Sequence, residues 1–105
     1  MRRAKVDANQ QDIMQALKRC GCSVQSLHTV GKGVPDLLVG IDGKQNLLVE
    51  VKAAPTDKLN ALQTTWHKAW HGPPVYVVRT RSDVIDILRQ ARRKMEDSGS
   101  IHRRK

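Results

Sequence analysis

Apolar residues recur along this chain in two rhythms, one helical and one extended. In DANQQDIMQALKRCG, Ile13, Met14, Leu17 and Cys20 return every three to four residues, which predicts a helix with one apolar face. Asp7 reads as its N-cap, with Gln10 three residues on as capping-box partner, and Gly21 reads as its stop. CSVQSLHTV alternates weakly and is expected to be an edge strand. GKG reads as a loop, and Pro35 breaks the chain before DLLVGI. DLLVGI and NLLVEVK are predicted strands on either side of DGK, a turn of the kind that closes hairpins. APTDK breaks the chain again. KLNALQTTWHKAW predicts a helix with Leu59, Leu62, Trp66 and Ala69 on one side, ended by GPP. VYVVR is almost wholly apolar and is expected inside a sheet. SDVIDILRQARRK predicts a last helix capped by Ser82. The order α-β-β-β-α-β-α predicts an α/β fold in which helices flank a mixed sheet. Residues 1–94 are expected to form one domain, and 95–105, MEDSGSIHRRK, a basic mobile tail.

Length limits what this pattern can build. A chain of 105 residues has room for one core. With two Trp, one Tyr and no Phe, that core is small, and a homodimer sharing buried surface is expected to supplement it. Ile13, Met14 and Leu17 on the first helix, with Val84, Ile85 and Leu88 on the last, are the apolar residues available to a partner. Charge points to what the chain meets. Nineteen Lys and Arg against ten Asp and Glu give a net charge of +9, which favours a polyanion such as nucleic acid or an anionic membrane. No apolar run approaches the roughly 18 residues of a membrane span. The opening MRRAKVDANQ is basic and polar with no apolar core behind it, so no signal peptide is expected. Cys20 and Cys22 are poorly spaced to bridge each other, and no second Cys pair completes a zinc site. They read as reduced thiols of a cytoplasmic protein.

Three charges interrupt the two central strands. Side chains alternate faces along a strand, so Leu47, Val49 and Val51 share one face, and Leu48, Glu50 and Lys52 the other. Asp36 lies on the face of Leu38. If the DGK turn pairs the strands, Asp36 comes beside Glu50 and Lys52. Charge at a half-buried position is costly unless it is paired or binds a metal. One reading is a structural salt bridge at a sheet edge. The other is a site for a hard divalent cation such as Mg²⁺ or Mn²⁺ between two carboxylates, with an ammonium beside it to orient a water or offset charge on a phosphate.

Pro35-Asp36, thirteen intervening residues, then Glu50-Val51-Lys52 resembles the PD-(D/E)xK nuclease signature. Gln63 and Trp66 resemble the Q-x-x-W element of the virus-type replication-repair nuclease (VRR-Nuc) family. GKGVPDLLVG is similar to that family's G-x-PD-hydrophobic-G segment, and VYVVRTRSDVIDIL to its closing strand and helix. The likeness runs from about Asp7 to Leu88. It implies a restriction-endonuclease-like fold, with Asp36, Glu50 and the Val51 carbonyl as metal ligands. It further implies Lys52 as the catalytic lysine and Gln63 as an active-site residue positioning water or phosphate. Many members carry a Glu on the first helix. The corresponding position here is Gln10, with Asn9 and Asp12 nearby, and this weaker, neutral ligand leaves a second metal ion open.

The resemblance implies a Mg²⁺- or Mn²⁺-dependent DNA endonuclease, structure-selective on branched DNA such as four-way (Holliday) junctions, with a phage or bacterial role in recombination or repair. A flap or restriction-type nuclease on the same fold, and a non-catalytic basic nucleic-acid-binding module, are the alternatives. Lys32 in its glycine loop, Arg79 and Arg81 are candidate phosphate contacts, or simply an ordinary turn and a soluble strand end. Arg92 and Arg93, with Arg89 and Lys94, form either a solvated helix face or a DNA backbone rail. Trp66 is expected in the core, and His28, His67 and His71 at the surface.

Overall fold

Three helices and four strands follow in the predicted order among the described residues. The computed structural model describes residues 8–53 and 56–103, those after 96 by backbone alone. The predicted cap Asp7, the break at Pro55 and the last two residues of the predicted tail lie outside the described residues.

Helix α1 (Ala8–Arg19) turns Gln10, Ile13 and Leu17 into the protein. Gln10 is therefore an interior residue, at 5% exposure. The helix ends where predicted. Gly21 N–H donates to the Lys18 carbonyl and Cys22 N–H to the Leu17 carbonyl, the paired bonds of a Schellman stop. Strand β1 (Ser23–Ser26) then lies at a sheet edge as expected, antiparallel to β2 (Leu37–Ile41). β2 returns as β3 (Gln45–Val51) through the DGK turn. Asp42 and Gly43 both take positive φ, and Lys44 N–H closes the turn onto the Ile41 carbonyl, so the Asp-Gly pair supplies the geometry a tight hairpin needs.

Pairing of Leu37 with Val49 and Ile41 with Gln45 puts Leu37, Val39, Ile41, Leu47 and Val49 on one face. That face meets Ile13 and Leu17 of α1, and Val84, Ile87, Leu88 and Ala91 of α3 (Arg81–Arg103), in one buried cluster. Transfer of this apolar surface out of water is the main force holding the layers together. Helix α2 (Ala61–Ala69) lies over the other face and carries the crossover to β4 (Tyr76–Val78), which runs parallel to β3.

Several sequence expectations need correction. β4 is an edge strand, in the order β1-β2-β3-β4, and not an interior one. Its apolar run is explained by Val78, which is fully buried in the shared core. α3 is capped by Thr80, not Ser82. Thr80 Oγ1 accepts from Asp83 N–H, and the Asp83 carboxylate accepts in return from Thr80 and Arg79 N–H. α3 also continues past Lys94 to Arg103, since MEDSGSIHR contains no proline and Met95 packs against the core. The face Leu59, Leu62, Trp66 and Ala69 is not a core face. No α2 residue is buried, Leu62 is 62% exposed, and Trp66 stacks on Trp70 at 4.9 Å between ring centres. Finally, Ile13, Leu17, Val84 and Leu88 are consumed by the chain's own core, and Met14 packs against it. Only Ile85 of the six residues offered to a partner stays exposed.

Candidate active site

The hairpin register that pairs Leu37 with Val49 carries one step further and sets Asp36 opposite Glu50. Lys52 follows on the same face of β3. The sequence-predicted trio is thus brought together at one end of the central hairpin, where β3 and β4 finish side by side. Two amides fasten that end. Val51 N–H donates to Asp36 Oδ2 at 2.8 Å, so Val51 engages Asp36 through its nitrogen. Asn9 of α1 donates from Nδ2 to the carbonyls of Lys52 and Arg79, at 3.0 and 3.3 Å. Asn9 is therefore a first-helix residue tied to the strand ends.

Gln63 organises the trio. Its Oε1 accepts from Lys52 Nζ at 2.9 Å and from Asn60 N–H at 3.0 Å, and its Nε2 donates to Glu50 Oε2 at 3.0 Å. Asn60 Oδ1 in turn accepts from Gln63 N–H, completing a capping box at the start of α2. One residue thus both starts the helix and bridges a carboxylate to an ammonium. The approach of α2 is set by Gly33, at φ +86. A Cβ there would lie 2.3 Å from the Leu62 carbonyl oxygen, so only glycine lets the preceding loop reach the helix start. Gly31, Lys32 and Gly33 all take positive φ, which makes the loop a tight turn that holds Lys32 exposed to solvent.

Glu50 is 1% exposed, an extreme position for a carboxylate. Its oxygens differ. Oε2 is held by Gln63, while Oε1 is buried without a hydrogen-bond partner. Burial first, and then the adjacent Asp36 carboxylate, push the Glu50 pKa up to about 8, with the Lys52 ammonium pulling the other way. His67, one turn after Gln63, places Nε2 at 3.8 Å from Glu50 Oε1, and that nitrogen is also buried without a partner. Burial, then the Lys52 charge, hold the His67 imidazole below its usual pKa.

These facts bear on whether the residues suit a divalent cation. A buried, unsatisfied carboxylate oxygen is costly, and its charge is disfavoured as it stands. A cation at Asp36 and Glu50 would relieve both penalties, and oxygen donors suit Mg²⁺ or Mn²⁺. No three His, Cys, Asp or Glu side chains are gathered into a metal cage among the described residues. The donors present are a carboxylate pair with an amide and an ammonium beside it, which fits a cation completed by water or phosphate oxygens.

The predicted phosphate contacts divide by location. Arg79 adjoins Lys52 through the β3–β4 pairing, and its Nη2 donates to the Asp57 carbonyl at 2.8 Å. Arg81 is ion-paired with Asp12. Arg92 is ion-paired with Asp42 and also donates to the Cys20 carbonyl. Asp42 lies past the opposite end of β2 from Asp36, about 20 Å away at the rise of a strand. Arg92 therefore sits far from the carboxylates, and exposed Arg93 adjoins it on α3. Lys32 is exposed just ahead of Asp36. His67 was expected at the surface, and Asn9 only as a neighbour of Gln10; the structure brings both to the site. The available signal for His67 was its i, i+4 spacing from Gln63, which puts both on one helix face. No helix among the described residues is long and apolar enough to cross a membrane. The chain matches no protein-family model, no curated protein and no solved structure.

Proposed function

We propose that this chain is a divalent-metal-dependent deoxyribonuclease of the PD-(D/E)xK type. The observation that carries the reading is the convergence of Asp36, Glu50, Lys52 and Gln63 on one sheet end, around a buried Glu50 oxygen that has no partner. Asp36 and Glu50 would hold Mg²⁺ or Mn²⁺. A cation so held would polarise a phosphodiester and acidify a water. Lys52, fixed by Gln63, offers its ammonium to the phosphate or to the attacking water, where negative charge builds in the transition state. Gln63 keeps the carboxylate and ammonium apart and in place, so neither has to reorganise. The net charge of +9 brings the polyanion to the site.

The proposed substrate is branched DNA, cut by a homodimer, because symmetric cuts across a four-way junction need two sites related by a two-fold axis. A panel of linear, flap and four-way DNA, incubated with Mg²⁺, Mn²⁺ or EDTA, tests both parts. Cleavage with either metal and none in EDTA is expected, fastest on the four-way junction. Tight binding without cleavage in any condition would favour a basic binding module whose carboxylates are structural. Light scattering at micromolar concentration should give twice 11.8 kDa. A monomer that still makes paired symmetric nicks would exclude the dimer mechanism.

A further inference from the structure

We propose that His67 is a nitrogen ligand of the cation held at Asp36 and Glu50, which makes the site select Mn²⁺ and similar transition-metal ions over Mg²⁺. The inference rests on the metal reading above and adds to it a residue and an ion preference. Its basis is a pair of atoms. Glu50 Oε1 and His67 Nε2 are both buried, neither has a hydrogen-bond partner, and they face each other at 3.8 Å. That separation is too long for a hydrogen bond. It is close to the roughly 3–3.5 Å that separates an oxygen and a nitrogen ligand sharing one ion at bond lengths near 2.1 Å. Leaving two such atoms unsatisfied costs about 1–3 kcal/mol each, and one shared ion satisfies both.

The surroundings keep this pair aligned. Gln63 holds the other Glu50 oxygen, and His67 stands four residues further along the same helix. Both therefore reach Glu50 from one face of α2. The His67 side chain is only 16% exposed, so it is not a surface histidine that happens to lie nearby. Glu50 is the common member of the group. Asp36 approaches it from the start of β2 and His67 from α2. Among the described residues the three do not form a ready-made metal cage, so a shared ion requires Asp36 and His67 to close on Glu50. The ligand type sets the ion. Imidazole nitrogen suits Zn²⁺, Fe²⁺ and Ni²⁺ best, and Mn²⁺, itself an oxygen-preferring ion, still accepts it more readily than Mg²⁺, which takes oxygen almost exclusively.

The test uses the metal-stripped 105-residue chain. Mn²⁺ and Mg²⁺ are titrated separately by calorimetry into wild type, His67→Ala, His67→Gln and Glu50→Ala, with folding checked by circular dichroism. Pulsed electron paramagnetic resonance of the Mn²⁺ complex then reads nitrogen coupling. The expected result is imidazole nitrogen modulation in wild type that vanishes in both His67 variants. Mn²⁺ affinity should fall about tenfold or more in those variants, while Mg²⁺ affinity changes less than about threefold. A Glu50-dependent Mn²⁺ complex with no nitrogen modulation, or modulation that survives in His67→Ala, overturns the role of His67 and leaves the metal reading standing. Absence of Mn²⁺ binding, or binding indifferent to Glu50→Ala, overturns the metal reading and this inference with it. Should neither His67 variant fold, the wild-type spectrum decides alone, since lack of nitrogen coupling there is sufficient to reject the ligand.

Discussion

Residue by residue, the site is a set of costs that offset one another. Glu50 is the most expensive member, and its titration gives a direct handle. Its folded pKa, about 8, stands above the ordinary value of 4.5, so between those limits the folded state holds a proton the unfolded chain has released. Stability of the metal-free protein should therefore fall as pH rises from about 4.5 to about 8. Glu50→Gln should remove this slope and, by thermal melts at pH 8, gain more than about 1 kcal/mol over wild type. A wild-type melting point that stays level across that window would contradict the burial argument. Gln63→Ala should act in the opposite sense. It leaves Glu50 Oε2 without its donor, at a cost of about 1–3 kcal/mol, and frees Lys52. Cleavage should drop about tenfold to a hundredfold, measured by single-turnover rates beside denaturant melts. The Asp36, Glu50 and Lys52 set was legible in the sequence because strand alternation and a two-strand turn fix faces and register. His67 was not, because its place depends on how α2 docks, which no local pattern encodes.

Among the elements, α2 departs furthest from its sequence reading. Its apolar residues suggested a core-facing helix, yet it turns the stripe Gln63 and His67 inward and leaves Leu62 and Trp70 outside. The strand face beneath it supplies the reason. Glu50 and Lys52 point there, and only a polar helix face satisfies them. The hairpin, by contrast, was readable from its own turn and period. β4 reached the sheet edge despite its apolar sequence because α3 covers its inner face. Two glycines test the docking of α2. Gly33→Ala puts a methyl against the Leu62 backbone, while Gly31→Ala, at φ +71, meets nothing within 4 Å. Both carry the backbone strain of positive φ, about 1–2 kcal/mol. Only Gly33→Ala should also displace Gln63, lowering the cleavage rate by about a hundredfold. Equal rates for the two variants would show that the loop does not position the helix.

At the scale of the molecule, the core takes up most of the apolar side chains described on both long helices, and among the described residues Val30, Leu62, Trp70 and Ile85 are the large exposed apolar side chains. The net charge of +9 dominates the surface. DNA affinity should fall steeply with salt, because Lys and Arg release condensed counterions from the phosphates. Fluorescence anisotropy with a labelled duplex between about 50 and 200 mM salt should show a loss of at least about tenfold, and a flat profile would contradict the nucleic-acid reading. The class of fold follows from element order, and the proposal of a polyanionic partner from net charge, both of which are sums over many residues. Oligomeric state depends on a surface that no sum predicts.

The most direct measurement compares wild type, Glu50→Ala and Lys52→Ala on one end-labelled four-way junction in Mg²⁺, in Mn²⁺ and in EDTA, with binding read in the same samples. The expected result is metal-dependent cleavage by wild type alone, with all three proteins folded and bound to the DNA. Cleavage by either variant at the wild-type rate, or by wild type in EDTA, would contradict the assignment of this site.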